Sequence, residues 1–182
     1  AERPDAPNCY LEDGVDAVAY SGGKCLRGPQ ASGLVLGRED LLKAAFLNGC
    51  PHGSIGRPMK VGKEEIMGLL AAVEQWVVRD HKGEWKEWER RLSVITEAMS
   101  AFDTVEANTR QPGRSNVAPH LSITWGAEQL GVSGSQLRQQ LEEGEPRIEM
   151  PVGDGSLTVN PYMMEEGEAE LVAKRLGEIF AS

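Results

Sequence analysis

Trp85, Trp88, Leu92, Ile95, Met99 and Phe102 step along the chain by three and four in strict alternation. Only an α-helix turns that spacing into one apolar stripe, so the segment predicts a helix seamed against another helix or a sheet. Ile66, Leu69, Leu70, Val73, Trp76 and Val77 make a similar stripe just upstream, with Glu64 and Glu65 in the first turn, where the helix dipole favours acids. His81-Lys82-Gly83 interrupts the two, which predicts two long helices or one broken at Gly83. Before this helical stretch the period is different. Gly14 to Tyr20 and Ser32 to Gly37 are short apolar runs separated by Ser21-Gly22-Gly23-Lys24 and by the turn chemistry of Gly28-Pro29. That order predicts a hairpin-like excursion with a lysine near its tip. After the helices the periods mix. Thr104–Asn108, Val117–Trp125, Arg147–Met150 and Ser156–Asn160 predict strands, the last two joined through Gly153-Asp154-Gly155, while Ser135–Glu143 and Glu166–Phe180 predict helices. A small antiparallel sheet covered by helices follows, and three segments are expected: 1–60, 61–102 and 103–182.

Composition narrows the function classes. Lys and Arg number 19 against 28 Asp and Glu, a net charge of −9, so no excess of cations awaits a phosphate backbone and nucleic acid is a poor partner. No run of about 18 apolar residues occurs, which speaks against a membrane helix. The first residues lack an apolar leader core, and three cysteines without a C-x-x-C spacing make neither a disulfide framework nor a zinc site. A reducing, cytoplasmic setting is the expectation, and no metal site is predicted.

Lys24 is the residue with the most chemistry to offer. A lysine made neutral by burial or nearby cations condenses with a carbonyl, and paired glycines let a flat ligand approach the backbone. S-G-G-K alone is a weak motif and reads more simply as a surface turn. The longer stretch from Tyr20 through Gly28-Pro29-Gln30 to Gly37-Arg38 and Leu42, however, resembles the lysine region of one group of pyridoxal 5'-phosphate (PLP) enzymes. These are the selenocysteine synthases (L-seryl-tRNA selenium transferases) and the D-glucosaminate-6-phosphate ammonia-lyases. Gly56-Arg57-Pro58-Met59-Lys60, Pro146-Arg147-Ile148 and Asn160-Pro161-Tyr162 are similar to the lyase-like branch.

The resemblance implies an α/β fold: the C-terminal part of a fold-type-I (aminotransferase-like) PLP enzyme, with the end of its large domain and a small α+β domain. It implies Lys24 as the Schiff-base lysine and proton carrier at the substrate Cα, with Ser21 near the cofactor phosphate. Arg27 and Gln30 would shape the turn beside the site, and Arg57, Lys60 and Arg147 would meet the substrate. The implied reaction is β-elimination on an amino acid or amino-sugar acid, in a homo-oligomer. Selenocysteine synthases carry two arginines three apart where this chain has Arg57 and then Lys60. A lysine is a point charge without the planar fork, which weakens the case for selenium transfer. The group's pyridine-nitrogen aspartate, phosphate-cup loop and ring-stacking aromatic have no counterpart here, and Asp16 does not fit the first role. The chain therefore reads as the C-terminal portion of a longer enzyme.

Other candidates are weaker. Arg57 is as simply read as a solvated charge beside a helix start. Arg114 is the alternative to Arg147 for a carboxylate-binding arginine. His52 reads as a loop residue, His120 as a structural strand residue, and Trp76, Trp85 and Trp88 as core. A reading of another class makes the chain a non-catalytic dimerisation fragment whose interface is the Trp85–Phe102 seam.

Overall fold

The computed structural model describes residues 9–112 and 117–182, which fall into two compact units divided between Asp80 and His81. In the first unit a short helix α1 (Cys9–Glu12) leads into strand β1 (Ala17–Ser21), which pairs antiparallel with β2 (Gly33–Gly37) from Ala17↔Gly37 to Ser21↔Gly33. Helix α2 (Glu39–Asn48) follows, then a looped segment with a 3-10 turn at Arg57–Met59, then helix α3 (Lys63–Val78). The guanidinium of Arg38 ties the base of the hairpin to the start of α2, bonding Asp16 at 2.8 Å and Asp40 at 2.6 Å. That pairing holds the Asp40 carboxyl below its ordinary range.

The second unit holds nearly all of the core. Helix α4 (His81–Met99) lays Trp88, Leu92, Ile95 and Met99 inward. Strands β3 (Val105–Arg110), β4 (His120–Trp125), β5 (Val152–Gly153) and β6 (Ser156–Val159) form one antiparallel sheet in the order β3-β4-β6-β5. Burial alternates along β4, placing Leu121, Ile123 and Trp125 on the inner face, as period-two patterning requires. Gly155 turns the β5–β6 hairpin at φ +67°, a backbone conformation that favours glycine. Short helix α5 (Ala127–Leu130) precedes α6 (Gly134–Glu142), whose start is closed by a reciprocal capping box between Ser133 and Gln136. Helix α7 (Glu168–Phe180) packs on α4 with Val172, Leu176, Ile179 and Phe180 buried. Arg91, on α4, reaches the carbonyls of Pro161 and Met164 and pins the 3-10 turn Pro161–Met163 to the helix.

Several expectations shift. The helical stretch breaks at Arg79, whose backbone is extended, and not at Gly83, which lies inside α4. The helices predicted as a linking segment are thus divided, α3 with the first unit and α4 with the second. Arg147–Met150 is irregular: the partner of β6 is Val152–Gly153, only two residues long, because prolines at 146 and 151 flank the predicted strand. The Trp85–Phe102 seam is internal to the second unit, covered by α7 and β3, so it is not a free interface. No described helix is long and apolar enough to cross a membrane.

Candidate functional site

Lys24 sits where the sequence places it, in the turn-rich excursion between β1 and β2, and the excursion is stapled at several levels. The Gly22 N–H donates to Ser32 O at 2.9 Å, and the Gly28 N–H donates back to Gly22 O at 2.8 Å. Arg27 closes the turn on Lys24, its N–H donating to Lys24 O at 2.8 Å, with φ at +59°, the left-handed region that a non-glycine residue rarely enters. Ser32 Oγ donates to Pro29 O at 2.6 Å, and Gln30 Nε2 to Gly23 O at 3.2 Å, one peptide before the lysine. The paired glycines are a packing requirement. A Cβ on Gly22 would lie 2.0 Å from Ser32 Oγ, and one on Gly23 would lie 2.5 Å from Gln30 Oε1.

Helix α3 supports this excursion. Gly28 approaches Leu69 and Ala72, and a Cβ on Gly68 would meet the Pro29 ring at 2.6 Å, so two small residues allow the close approach. A cleft of about 510 Å³ runs between them, lined by Leu26, Arg27, Gly68, Ala72 and Arg79 among others. Arg79 donates to Cys25 O at 3.4 Å, with its guanidinium 5.3 Å from the Trp76 ring centre. Sequence reasoning missed Arg79 because 54 residues separate it from Cys25 and no spacing rule spans that distance. It missed the Arg38 clamp for a similar reason, although the Gly37-Arg38 pair was itself part of the quoted pattern.

The remaining candidates lie in three places. Ser21, Lys24, Arg27 and Gln30 share the one excursion, and all four are exposed. Gln30 spends its amide on a backbone carbonyl, so its role visible here is to hold the turn. Arg57 and Lys60 belong to the looped segment before α3, both exposed, and Arg57 Nη1 donates to Pro51 O, closing that loop. His52 Nδ1 lies 3.1 Å from Phe46 O in the same loop. Arg147 is in the second unit, paired with Glu149 at the rim of a cleft of about 380 Å³ whose walls include Met150, Met163 and Met164. Arg114 lies outside the described residues. Among the described residues no group of three or more His, Cys, Asp or Glu side chains is arranged to hold a metal ion.

No protein-family model matches the chain. Among curated proteins it is 30% identical over 173 residues to D-glucosaminate-6-phosphate ammonia lyase of Salmonella typhimurium, covering 93% of this chain and 45% of that protein. It is equally 30% identical over 173 residues to the 5'-C-glycyluridine monooxygenase-decarboxylase of a Streptomyces species, covering 42% of it. The L-seryl-tRNA(Sec) selenium transferase of Moorella thermoacetica is 25% identical over 187 residues, with 91% of this chain and 38% of that protein covered. A solved D-glucosaminate-6-phosphate ammonia-lyase superposes with a TM-score of 0.66 at 28% identity, over all of this chain and 47% of that one. The chain thus spans less than half the length of these relatives. It is a homologue of the C-terminal portion of the D-glucosaminate-6-phosphate ammonia-lyase and selenocysteine-synthase-like proteins, with the fold of fold-type-I PLP enzyme chains.

Proposed function

We propose that the chain is the lysine-bearing part of a PLP-dependent lyase that acts on an amino acid or amino-sugar acid by β-elimination. The observation that carries the reading is a lysine in a glycine-stapled turn, in a chain homologous to enzymes of that class. In this reading the excursion would supply one wall of a cofactor site. A primary amine, a strand-end hydroxyl at Ser21 and the guanidinium of Arg27 lie along one excursion, whose backbone is too tight for a side chain at 22 or 23. Acid and aromatic groups that would face the other side of the ring are not part of this wall, since Asp16 is engaged by Arg38.

When bound, PLP supplies an aldehyde for the amine and an electron sink for charge developing at the substrate Cα. The amine of Lys24 would hold the cofactor and would carry the proton at that Cα. Ser21 would hold the cofactor phosphate through its hydroxyl. Arg27 and Gln30 fix the turn, and Arg57 and Lys60 would attract and orient an anionic substrate, with Arg147 a further candidate on the second unit. In this reading the first unit closes the large domain and the second unit, α4 included, forms the small domain, in a cytoplasmic homo-oligomer.

The test is the visible absorption of the protein expressed from its complete natural reading frame, with PLP added. A band that disappears in Lys24→Ala and persists in Lys43→Ala supports the proposal. Absence of the band, or its survival in Lys24→Ala, overturns it. The matched selenium transferases support a second reading, transfer to an aminoacyl-tRNA. The net charge of −9 opposes it, and a gel shift with seryl-tRNA distinguishes the two.

A further inference from the structure

The two edges of the second unit's sheet are unlike. At one edge β5 is two residues long and follows Pro151, so it offers little backbone for further pairing. At the other, β3 runs six residues without a proline. It pairs with β4 residue for residue, with no bulge, from Val105↔Trp125 to Arg110↔His120. Among the described residues no strand lies on its outer side. The register decides which groups face outward. Trp125 donates its N–H to Gly155 O at 3.0 Å, on the β6 side, so alternation turns the backbone of Thr124, Ser122 and His120 toward β3. Their partners Glu106, Asn108 and Arg110 spend their own backbone groups on β4. Ala107 and Thr109 therefore aim N–H and C=O away from the sheet, as one half of an antiparallel ladder. Val105 and Ala107 meet the core, while Glu106, Asn108 and Arg110 stand exposed on the opposite face.

That exposed row is complementary to itself. In an antiparallel pairing of this edge with its own copy, the outward residues must meet outward residues. Setting Ala107 opposite Thr109 of the second copy brings Asn108 against Asn108 at a two-fold axis. Glu106 then faces Arg110 of the second copy, and Arg110 faces Glu106, so both charges are matched. The neighbouring registers, with Ala107 opposite Ala107 or Thr109 opposite Thr109, lose both ion pairs. One step further, Glu106 meets Glu106 or Arg110 meets Arg110. We infer that β3 is a self-pairing edge, through which two copies of the chain join their four-stranded sheets into one, antiparallel about Asn108. A second copy is the occupant because the charges match in one register and repel two steps away, which is how an edge selects its own sequence over a foreign strand. The functional reading names a homo-oligomer without a contact; this interface goes beyond it and uses neither Lys24 nor PLP.

The test uses the protein expressed from its complete natural reading frame. Facing residues of a non-hydrogen-bonded pair have Cα atoms ~4.5 Å apart, within disulfide reach. Asn108→Cys should therefore link two copies under oxidised glutathione, ~10-fold or more above the parent protein, whose three cysteines set the background. Glu106→Cys, which does not meet itself in this register, should stay at that background. Adding Thr109→Pro to Asn108→Cys removes an outward donor and should abolish the link, while pairing with β4 survives. Glu106→Arg should speed exchange of the Ala107 amide ~10-fold or more, and Glu106→Arg with Arg110→Glu should restore the parent rate. The inference is overturned if Asn108→Cys links no better than Glu106→Cys, if the link survives Thr109→Pro, or if the charge exchange fails to rescue. A protected Ala107 amide without a link assigns the edge to a different strand and also overturns it. Because the readouts are a disulfide and an amide, a linked protein that binds no PLP sinks the functional proposal and leaves the interface standing.

Discussion

Replacing Gly22 by alanine tests whether the lysine-bearing turn is held by close packing or merely by chain connectivity. The new methyl group would sit 2.0 Å from Ser32 Oγ, and 3.0 Å from both the Ser32 carbonyl carbon and Leu69 Cδ1. Ser32 relieves the shortest contact only by rotating away from Pro29 O, to which its hydroxyl donates at 2.6 Å. Losing that bond costs ~0.5–1.5 kcal/mol. The two remaining contacts involve backbone and a packed methyl, and overpacking of that kind costs ~1–3 kcal/mol. The sum is roughly 2–4 kcal/mol, which corresponds to a ~30-fold to ~1000-fold increase in local opening.

The assay is native-state hydrogen exchange at the Gly22 and Gly28 amides, which close the turn through Ser32 O and Gly22 O. Gly53→Ala serves as the control, since nothing lies within 4 Å of its Cβ position, and it should stay within ~0.5 kcal/mol of the parent. Ser32→Ala removes the oxygen that the methyl strikes. The double variant should therefore cost ~1 kcal/mol or more less than the two single costs added together. If Gly22→Ala opens the turn no more than Gly53→Ala does, or if the two substitutions add without coupling, close packing is not what holds Lys24.

Two further outcomes are expected. Arg90 and Arg91 hydrogen-bond the Glu87 carboxylate and push its pKa from 4.5 down to about 2, so the network stabilises the folded chain above about pH 4.5 and loses that contribution as the pH falls toward 2. With Glu87 and Arg90 39% and 47% exposed, solvent screening keeps the effect to ~1 kcal/mol or less. Glu87→Gln should lower the urea midpoint at pH 7 and flatten the acid limb, read by tryptophan fluorescence, and an unaltered acid limb refutes the assignment. Ile95→Ala, at a side chain with no exposure, should cost ~2–5 kcal/mol and lower Tm by ~10 °C or more, whereas Ile66→Ala should change the isolated chain by ~0.5 kcal/mol at most. Equal effects at the two positions would contradict the division of the core between the units.

Much of the second unit was legible because local rules and tertiary packing agree there. The three-and-four stripe from Trp85 to Phe102 is a helix with its buried side where the spacing puts it, and the alternation of Leu121, Ile123 and Trp125 is a half-buried strand. Arg147–Met150 misled because it alternates like a strand but lies between two prolines, whose missing N–H groups and fixed φ do not suit a paired strand. The staples around Lys24 were only half legible: the glycines and the lysine are local, while Ser32, Leu69 and Arg79 arrive from elsewhere.

By itself the amino-acid order determined most of the helices and strands and the hairpin that presents Lys24, because these depend on residues within a few turns of one another. Only the tertiary structure decided which apolar stripe is consumed. The stripe on α4 is covered by α7 and the sheet, whereas of the similar one on α3 only Leu69 is buried and Ile66, Leu70 and Val77 are exposed. Periodicity reports that a face is apolar. Whether it is dry depends on what is brought against it in space.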